Sequence, residues 1–137
     1  MTTYQTLAKH TGTRVPAHLD EQATPPVVTR GARQGDVYVT ATQAPAPRDA
    51  RPVEIATGYK VVEGDADRNS HILIGDGTFT PGAVTERLVD YGLLEVPDGG
   101  VAHLIHTSEH GAIGFAPGRY RVFGQRSYET ELRRAAD

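Results

Sequence analysis

The sequence contains no cysteine and no tryptophan among its 137 residues. Without cysteine the chain can form no disulfides, no thiolate metal site and no cysteine nucleophile. Small secreted domains often rely on disulfides, so the lack of cysteine favours an intracellular protein. Six Tyr and three Phe are the only other large aromatic residues. The core must therefore be built mainly from Val, Ile, Leu and Ala.

The sequence also lacks any long apolar segment. No apolar run approaches the roughly 20 residues that a membrane-spanning helix needs. The first ten residues, MTTYQTLAKH, show no apolar stretch behind a basic start, so no signal peptide is predicted. We expect a soluble protein of the cytoplasm, or of a virion if a phage encodes it. No membrane partner is expected.

Excess positive charge is missing as well. The formal net charge is −3, which disfavours a general nucleic-acid binder because such proteins gain affinity by neutralising phosphates. Nucleotide-binding loops of the G-x-x-x-x-G-K-[ST] or G-x-G-x-x-G type are absent, and so is the G-x-S-x-G nucleophile motif. These absences leave protein partners, small ligands and metal ions as the favoured binding partners.

The residues that are present suit one globular domain. Hydrophobic residues make up 38% and charged residues 23% of the chain, and 15 Gly and 9 Pro indicate frequent turns. Residues 1–34 have too little apolar content for a core of their own and are predicted to form an N-terminal arm. Residues 35–137 are predicted to form a β-rich domain.

The arm is predicted to carry one or two short helices. Tyr4 and Leu7 have the i, i+3 spacing of a helix face, Thr3 is a suitable N-cap, and Gly12 is a suitable end. A second helical turn is predicted over residues 17–23.

From residue 35 onward the hydrophobic period changes to two. Val37 and Val39 alternate with Tyr38 and Thr40, as in a half-buried strand. Asp76-Gly77 is the strongest hairpin signal of the chain. One helical turn is predicted over residues 85–91. The predicted strands are 37–41, 53–55, 59–62, 71–74, 93–96, 101–106, 112–115 and 118–128.

These short strands, separated by turn residues at nearly regular spacing, predict a mainly β fold. A small barrel and a two-sheet sandwich of the jelly-roll or cupin-like type both fit the pattern, because strand pairing cannot be read from periodicity alone.

A histidine-rich segment is the main candidate for chemistry. His106, Glu109 and His110 spell H-x-x-E-H, the pattern of inverted zinc peptidases. That motif requires a helix that places both histidines on one face. Here the segment follows a β-patterned run and leads into Gly111, so a peptidase is not predicted.

A metal site on a β scaffold remains open. Because side chains alternate along a strand, His103 and His106 point to opposite faces. The candidate ligands are His106, Glu109 and His110, joined by His71 from a neighbouring strand; imidazoles with one carboxylate suit Zn, Fe or Mn. In the alternative interpretation, His71 and His103 are buried strand residues that donate hydrogen bonds to backbone carbonyls.

Two family resemblances add to this interpretation. The cluster of His106, Glu109 and His110 before Pro117-Gly118 resembles the cupin pattern, in which histidines and a glutamate precede a Pro-x-Gly turn. This resemblance implies a divalent metal inside a small β-barrel, with those three residues as ligands.

The second resemblance is to small uncharacterised β-rich proteins of actinobacteria and their phages. It covers residues 35–137 and is carried by NSH at 69–71, HxxEHG at 106–111, PGxY at 117–120 and Gln125-Arg126. It implies a recurring module and no particular activity.

Two functions follow as expectations. The first is a non-catalytic structural or assembly protein, such as a phage or prophage virion component, in which a β core carries a docking arm and assembles with itself or with protein partners. The residues expected to contact the partner are Tyr4, Leu7, Arg119, Arg121 and Arg126. The alternative is a cupin-like enzyme that binds a divalent metal and acts on a small molecule.

Overall fold

The protein is mainly β in the computed structural model, which describes residues 2–11, 24–46, 49–62, 70–82, 90–106 and 111–124. These residues contain one helix, α1 (Tyr4–Thr11), and eleven strands. The strands are β1 (Val27–Val28), β2 (Gly31–Gln34), β3 (Val37–Ala41), β4 (Val53–Glu54), β5 (Tyr59–Val62), β6 (His71–Gly75), β7 (Thr78–Pro81), β8 (Asp90–Val96), β9 (Ala102–His106), β10 (Ala112–Phe115) and β11 (Gly118–Gly124).

The strands form two sheets that pack together as a sandwich. The order is β1-β10-β9-β6-β5 in the five-stranded sheet and β2-β3-β11-β8-β7-β4 in the six-stranded sheet. β1 runs parallel to β10, whereas the other neighbours described are antiparallel. The predicted β class is confirmed, and of the two predicted architectures the sandwich is the observed one, not the closed barrel.

The core lies between the two sheets and is aliphatic with a few rings. Val37 and Val39 of β3 are fully buried while Tyr38 between them is half-buried, which confirms the predicted alternation. The five-stranded sheet contributes Leu73, Leu104 and Phe115. Burying one such side chain stabilises the fold by about 1.5–3 kcal/mol, so this shared inner layer holds the sheets together.

Both open sides of the sandwich are crossed by the chain. Residues 27–34 leave the five-stranded sheet as β1 and enter the six-stranded sheet as β2, although we predicted them as part of the arm. On the other side the chain passes from β4 to β5 through the buried Ile55, whose carbonyl accepts hydrogen bonds from Gly58 and Gly75. Within the described residues, the strands at the edges of the two sheets are only two to four residues long.

The prediction of a hairpin at Asp76-Gly77 is wrong. β6 pairs with β5 and β9, whereas β7 pairs with β4 and β8, so Asp76-Gly77 carries the chain from one sheet to the other. The carboxylate of Asp76 accepts the N–H of Val101, and Gly77 has a φ of 113°. A two-residue hairpin instead joins β2 to β3 at Gly35-Asp36, where Gly35 has a φ of 58°.

Helix α1 forms where it was predicted and packs on the outer face of the five-stranded sheet. The Thr3 hydroxyl accepts the N–H of Thr6 at 3.1 Å, which confirms the cap. Leu7 is 6% exposed and lies in a small apolar cluster with Ile74, Ile105 and Ala112. The helix is therefore docked on its own domain.

Some predicted elements fall partly or wholly outside the described residues. The helical turn predicted over 85–91 is wrong at its end, because Asp90 and Tyr91 belong to β8. The helical turn at 17–23 and the strand residues 125–128 lie outside the described residues. No described helix has the length and apolar character needed to cross a membrane.

Candidate functional site

Two histidines meet at one end of the five-stranded sheet. His71 is the first residue of β6 and His106 the last of β9, and the antiparallel register pairs them directly. Because side chains alternate, they share the face that carries Leu73 and Leu104 into the core. Both histidines therefore point between the two sheets, and His71 joins His106 from the neighbouring strand as predicted.

The two imidazole rings are in contact and are almost completely buried. Their centres are 4.6 Å apart and their planes meet at 63°. His71 is 4% exposed and His106 3% exposed, and Ser70 beside them is also buried. The interior of the sandwich is therefore polar at this end, whereas the rest of the layer is apolar.

Gln34, the last residue of β2, reaches this cluster from the opposite sheet. Its Nε2 donates to the carbonyl of Leu104 at 2.9 Å and to the carbonyl of Gly111 at 3.3 Å. Its Oε1 lies 3.0 Å from Nδ1 of His71. The side chain is 2% exposed. One amide thus links the six-stranded sheet to β9, to the start of β10 and to His71.

The sequence analysis did not identify Gln34. It is a single polar residue between Arg33 and Gly35 in a segment assigned to the arm, and its contacts are 37 to 77 residues away in the sequence. No local pattern of residues marks such a long-range contact.

The other two metal-ligand candidates follow His106 directly. The backbone N–H of His106 donates to the carbonyl of Gly111 at 2.9 Å, which closes the connection between β9 and β10. Glu109 and His110 belong to the four residues between them and lie outside the described residues. Within the described part of the chain, no group of three or more His, Cys, Asp or Glu side chains is arranged to hold a metal ion.

His103 lies on the other face of β9, as strand parity predicted. It pairs with Ile74 and with Gly114, on the face that α1 covers further along. Burial lowers the pKa of His103 below its ordinary value of 6.5, and the carboxylate of Asp76 offsets part of that change. Burial thus favours the neutral form of His103, which is separated by the sheet from His71 and His106.

The residues predicted to contact a partner fall on two different surfaces. Tyr4 and Leu7 pack against the outer face of the five-stranded sheet, so in this structure they contact the chain itself. Arg119 and Arg121 lie on the outer face of the six-stranded sheet. Arg119 donates to the carbonyl of Ala44 at 2.9 Å and lies 3.5 Å from the carboxylate of Glu95. Arg126 lies outside the described residues.

Arg121 belongs to a row of arginines and rings that sequence analysis did not identify. The guanidinium of Arg121 lies 4.5 Å from the ring centre of Phe123, which stacks on Tyr38 at 5.5 Å. The guanidinium of Arg33 lies 5.3 Å from the ring centre of Tyr38. We call these four residues the arginine–aromatic row. It forms because β2, β3 and β11 are neighbours in the sheet.

Fold and site together define a two-sheet β sandwich with a polar, histidine-containing end. The chain belongs to a family described as a domain of unknown function, DUF8820, which matches residues 33–125. The matched range contains Gln34, His71 and His106 and leaves out α1. No curated protein and no solved structure matches the chain.

Proposed function

We propose that this chain is a divalent-metal-binding domain whose ion is held at the His71–His106 pair. The observation that carries the proposal is the pair itself: two imidazoles in contact, buried, and turned into the same interior. Imidazole is the commonest protein ligand of divalent metal ions, and two imidazoles on directly paired strand positions that point into the same interior can bind one ion together.

The spacing of the rings supports binding of one ion by both. A zinc–nitrogen bond is about 2.0–2.1 Å, which places the ring centre about 3.2 Å from the metal. The ring centres are 4.6 Å apart, which is less than twice that distance, so both imidazoles would be able to hold one ion. Zn, Fe and Mn all accept imidazole ligands.

Glu109 and His110 are proposed as the remaining protein ligands. They belong to the four residues between His106 and Gly111. The backbone N–H of His106 donates a hydrogen bond to the carbonyl of Gly111. Imidazole and carboxylate groups are suitable ligands for Zn, Fe and Mn, and metal sites that act on a substrate keep one position free of protein ligands. A metal with an open position can polarise a small substrate or activate water, which is the cupin-like activity expected from the sequence.

Metal analysis of protein purified without chelator tests the proposal. We expect close to one equivalent of zinc, iron or manganese in the wild type and a strong loss in His71→Ala and in His106→Ala. His103→Gln is the matched control, since it changes a buried histidine of the same strand on the opposite face of the sheet. Circular dichroism spectra must show that all variants are folded. Metal-free wild type that also binds no added Zn²⁺ would contradict the proposal.

A structural or assembly role is the second candidate, and the arginine–aromatic row favours it. Arginine and tyrosine are enriched among the residues that dominate protein–protein binding energies. α1 is docked on its own sheet, so we propose this row, rather than the arm, as the surface that contacts a second copy or another subunit, including a virion subunit. Short edge strands offer little template for pairing between chains, which also favours a sheet face.

Light scattering of the purified chain tests this second candidate. If the row forms a contact between copies, the wild type is an oligomer and the double variant Arg33→Ala, Arg121→Ala is a monomer. Arg51→Ala, which removes an exposed arginine outside the row, should leave the oligomer intact. A monomeric wild type at high concentration would count against self-assembly through this surface.

A further inference from the structure

The hydrogen bonds of Gln34 determine which end of its amide faces His71. Nε2 lies 2.9 Å from the carbonyl oxygen of Leu104 and 3.3 Å from that of Gly111. Carbonyl oxygens only accept hydrogen bonds, so the NH₂ group of the amide must face them and both of its hydrogens are used. The opposite orientation would set an amide oxygen against two carbonyl oxygens in a buried site. The Oε1 atom therefore faces His71.

The orientation of the amide in turn determines the tautomer of His71. Oε1 of Gln34 can only accept a hydrogen bond, and it lies 3.0 Å from Nδ1 of His71. Nδ1 must therefore carry the proton. A neutral imidazole carries one N–H, so the lone pair is on Nε2.

We propose that Gln34 is a positioning residue that holds His71 as the Nδ1–H tautomer and so directs the Nε2 lone pair of His71 to a divalent cation shared with His106. The part of this proposal that concerns the cation rests on the proposed function, whereas the tautomer does not. A metal-bound histidine commonly donates its other ring N–H to an oxygen, which fixes the ring and increases its basicity.

Gln34 also ties the ring of His71 to the segment that carries the other ligand candidates. The carbonyl of Gly111 accepts both from Nε2 of Gln34 and from the backbone N–H of His106. Leu104, the other acceptor, precedes His106 by two residues on the same face of β9. The amide therefore holds His71 and both ends of the 107–110 connection in one hydrogen-bonded unit that spans the two sheets.

Nitrogen NMR of the histidine side chains tests the tautomer in the metal-free wild type. The spectra are recorded at pH 8, well above the ordinary pKa of a histidine side chain, about 6.5. Long-range ¹H–¹⁵N spectra distinguish a protonated from an unprotonated ring nitrogen, and the signals that disappear in His71→Phe identify His71. We expect Nδ1 of His71 to be protonated and Nε2 to be unprotonated. A predominant Nε2–H tautomer would overturn the proposal, and this measurement needs no Gln34 variant to fold.

The variant Gln34→Met tests the positioning role, because methionine has a similar length and offers no amide. We expect a mixture of both tautomers at His71 and a Zn²⁺ affinity lower by about 10–100-fold, the usual effect of removing such an outer partner. Unchanged tautomer and unchanged Zn²⁺ affinity in Gln34→Met would refute the role of Gln34.

The two proposals fail in different ways. Wild type that shows the Nδ1–H tautomer but binds no Zn²⁺ would refute metal binding and support the assignment of Gln34. Wild type that binds Zn²⁺ through His71 while its metal-free form is the Nε2–H tautomer would refute the assignment of Gln34 and support metal binding.

Discussion

Three buried polar side chains interrupt the apolar interior of the sandwich at one end: Gln34, His71 and His106. No buried side-chain nitrogen or oxygen in the described part of the chain lacks a hydrogen-bond partner. Such a satisfied network is costly to disturb, because removing one member leaves the others unpaired in a medium of low dielectric constant. At the scale of single residues, this network is what distinguishes the molecule from a simple packed sandwich.

His103 provides a pH-dependent prediction at the same scale. Its pKa is lowered in the folded chain, mainly by burial, so the unfolded chain takes up a proton at higher pH than the folded chain does. Protonation of His103 therefore does not affect the free energy of unfolding above pH 6.5, and it lowers that free energy as the pH falls below 6.5. Urea unfolding at pH 7.5 and 5.5 gives the loss in free energy of unfolding between these pH values. We expect this loss to be smaller in His103→Gln than in wild type, and the two losses to differ by at most about 1.4 kcal/mol.

The decrease with pH also contains contributions from the other histidines, so the comparison between the two proteins is what matters. If His103→Gln loses as much stability as the wild type between these pH values, burial does not lower the pKa of His103 in the folded protein.

At the scale of elements, sequence analysis predicted a hairpin at Asp76-Gly77, where the structure has a crossing between the two sheets. A tight turn between two strands looks the same in the sequence whether the strands pair with each other or enter different sheets. The local residues determine that the chain bends here. The pairing of β6 with β5 and β9, and of β7 with β4 and β8, determines that the two strands belong to different sheets. Val37, Val39 and Thr3 were interpreted correctly, because alternation and capping depend on residues within a few positions.

The crossing depends on a glycine at position 77. Its φ is 113°, and a Cβ there would overlap the backbone carbonyl of Glu95. We expect Gly77→Ala to lower the free energy of unfolding by more than about 2 kcal/mol, through strain and a steric clash together. Denaturant unfolding measures this change.

Gly99→Ala is the matched control for position 77. Gly99 also has a positive φ, of 78°, but a Cβ there meets nothing within 4 Å. Strain alone should cost about 1 kcal/mol. Equal losses in the two variants would mean that the close approach of Gly77 to Glu95 does not exist in solution.

Helix α1 is held by its contacts with the sheet, since eight residues are too few for a stable isolated helix. Leu7→Ala removes most of the buried contact with Ile74, Ile105 and Ala112, and we expect a loss of about 2 kcal/mol in denaturant unfolding. Lys9→Ala, an exposed position of the same helix, should change stability by less than about 0.5 kcal/mol. If Leu7→Ala is as neutral as Lys9→Ala, α1 is not docked on the sheet in solution.

At the scale of the whole molecule, the sandwich brings together residues that are far apart in the sequence. The meeting of His71 and His106 could be anticipated only in part. Both lie at the ends of predicted strands and parity separates His106 from His103, but periodicity determines neither which strands pair nor which face is the inner one. Gln34 could not be anticipated, because its position depends on the chain crossing from β1 to β2 along the open side. Glu109 and His110 remain predictions as ligands.

The central claim is that His71 and His106 bind the same divalent ion. X-ray absorption at the zinc edge, on protein loaded with one equivalent of Zn²⁺, counts the imidazole ligands of the metal directly. The account predicts at least two imidazoles in the wild type, one fewer in His71→Ala and in His106→Ala, and no change in His103→Gln. A zinc environment without imidazole, or one that is the same in the wild type and in both alanine variants, would contradict it.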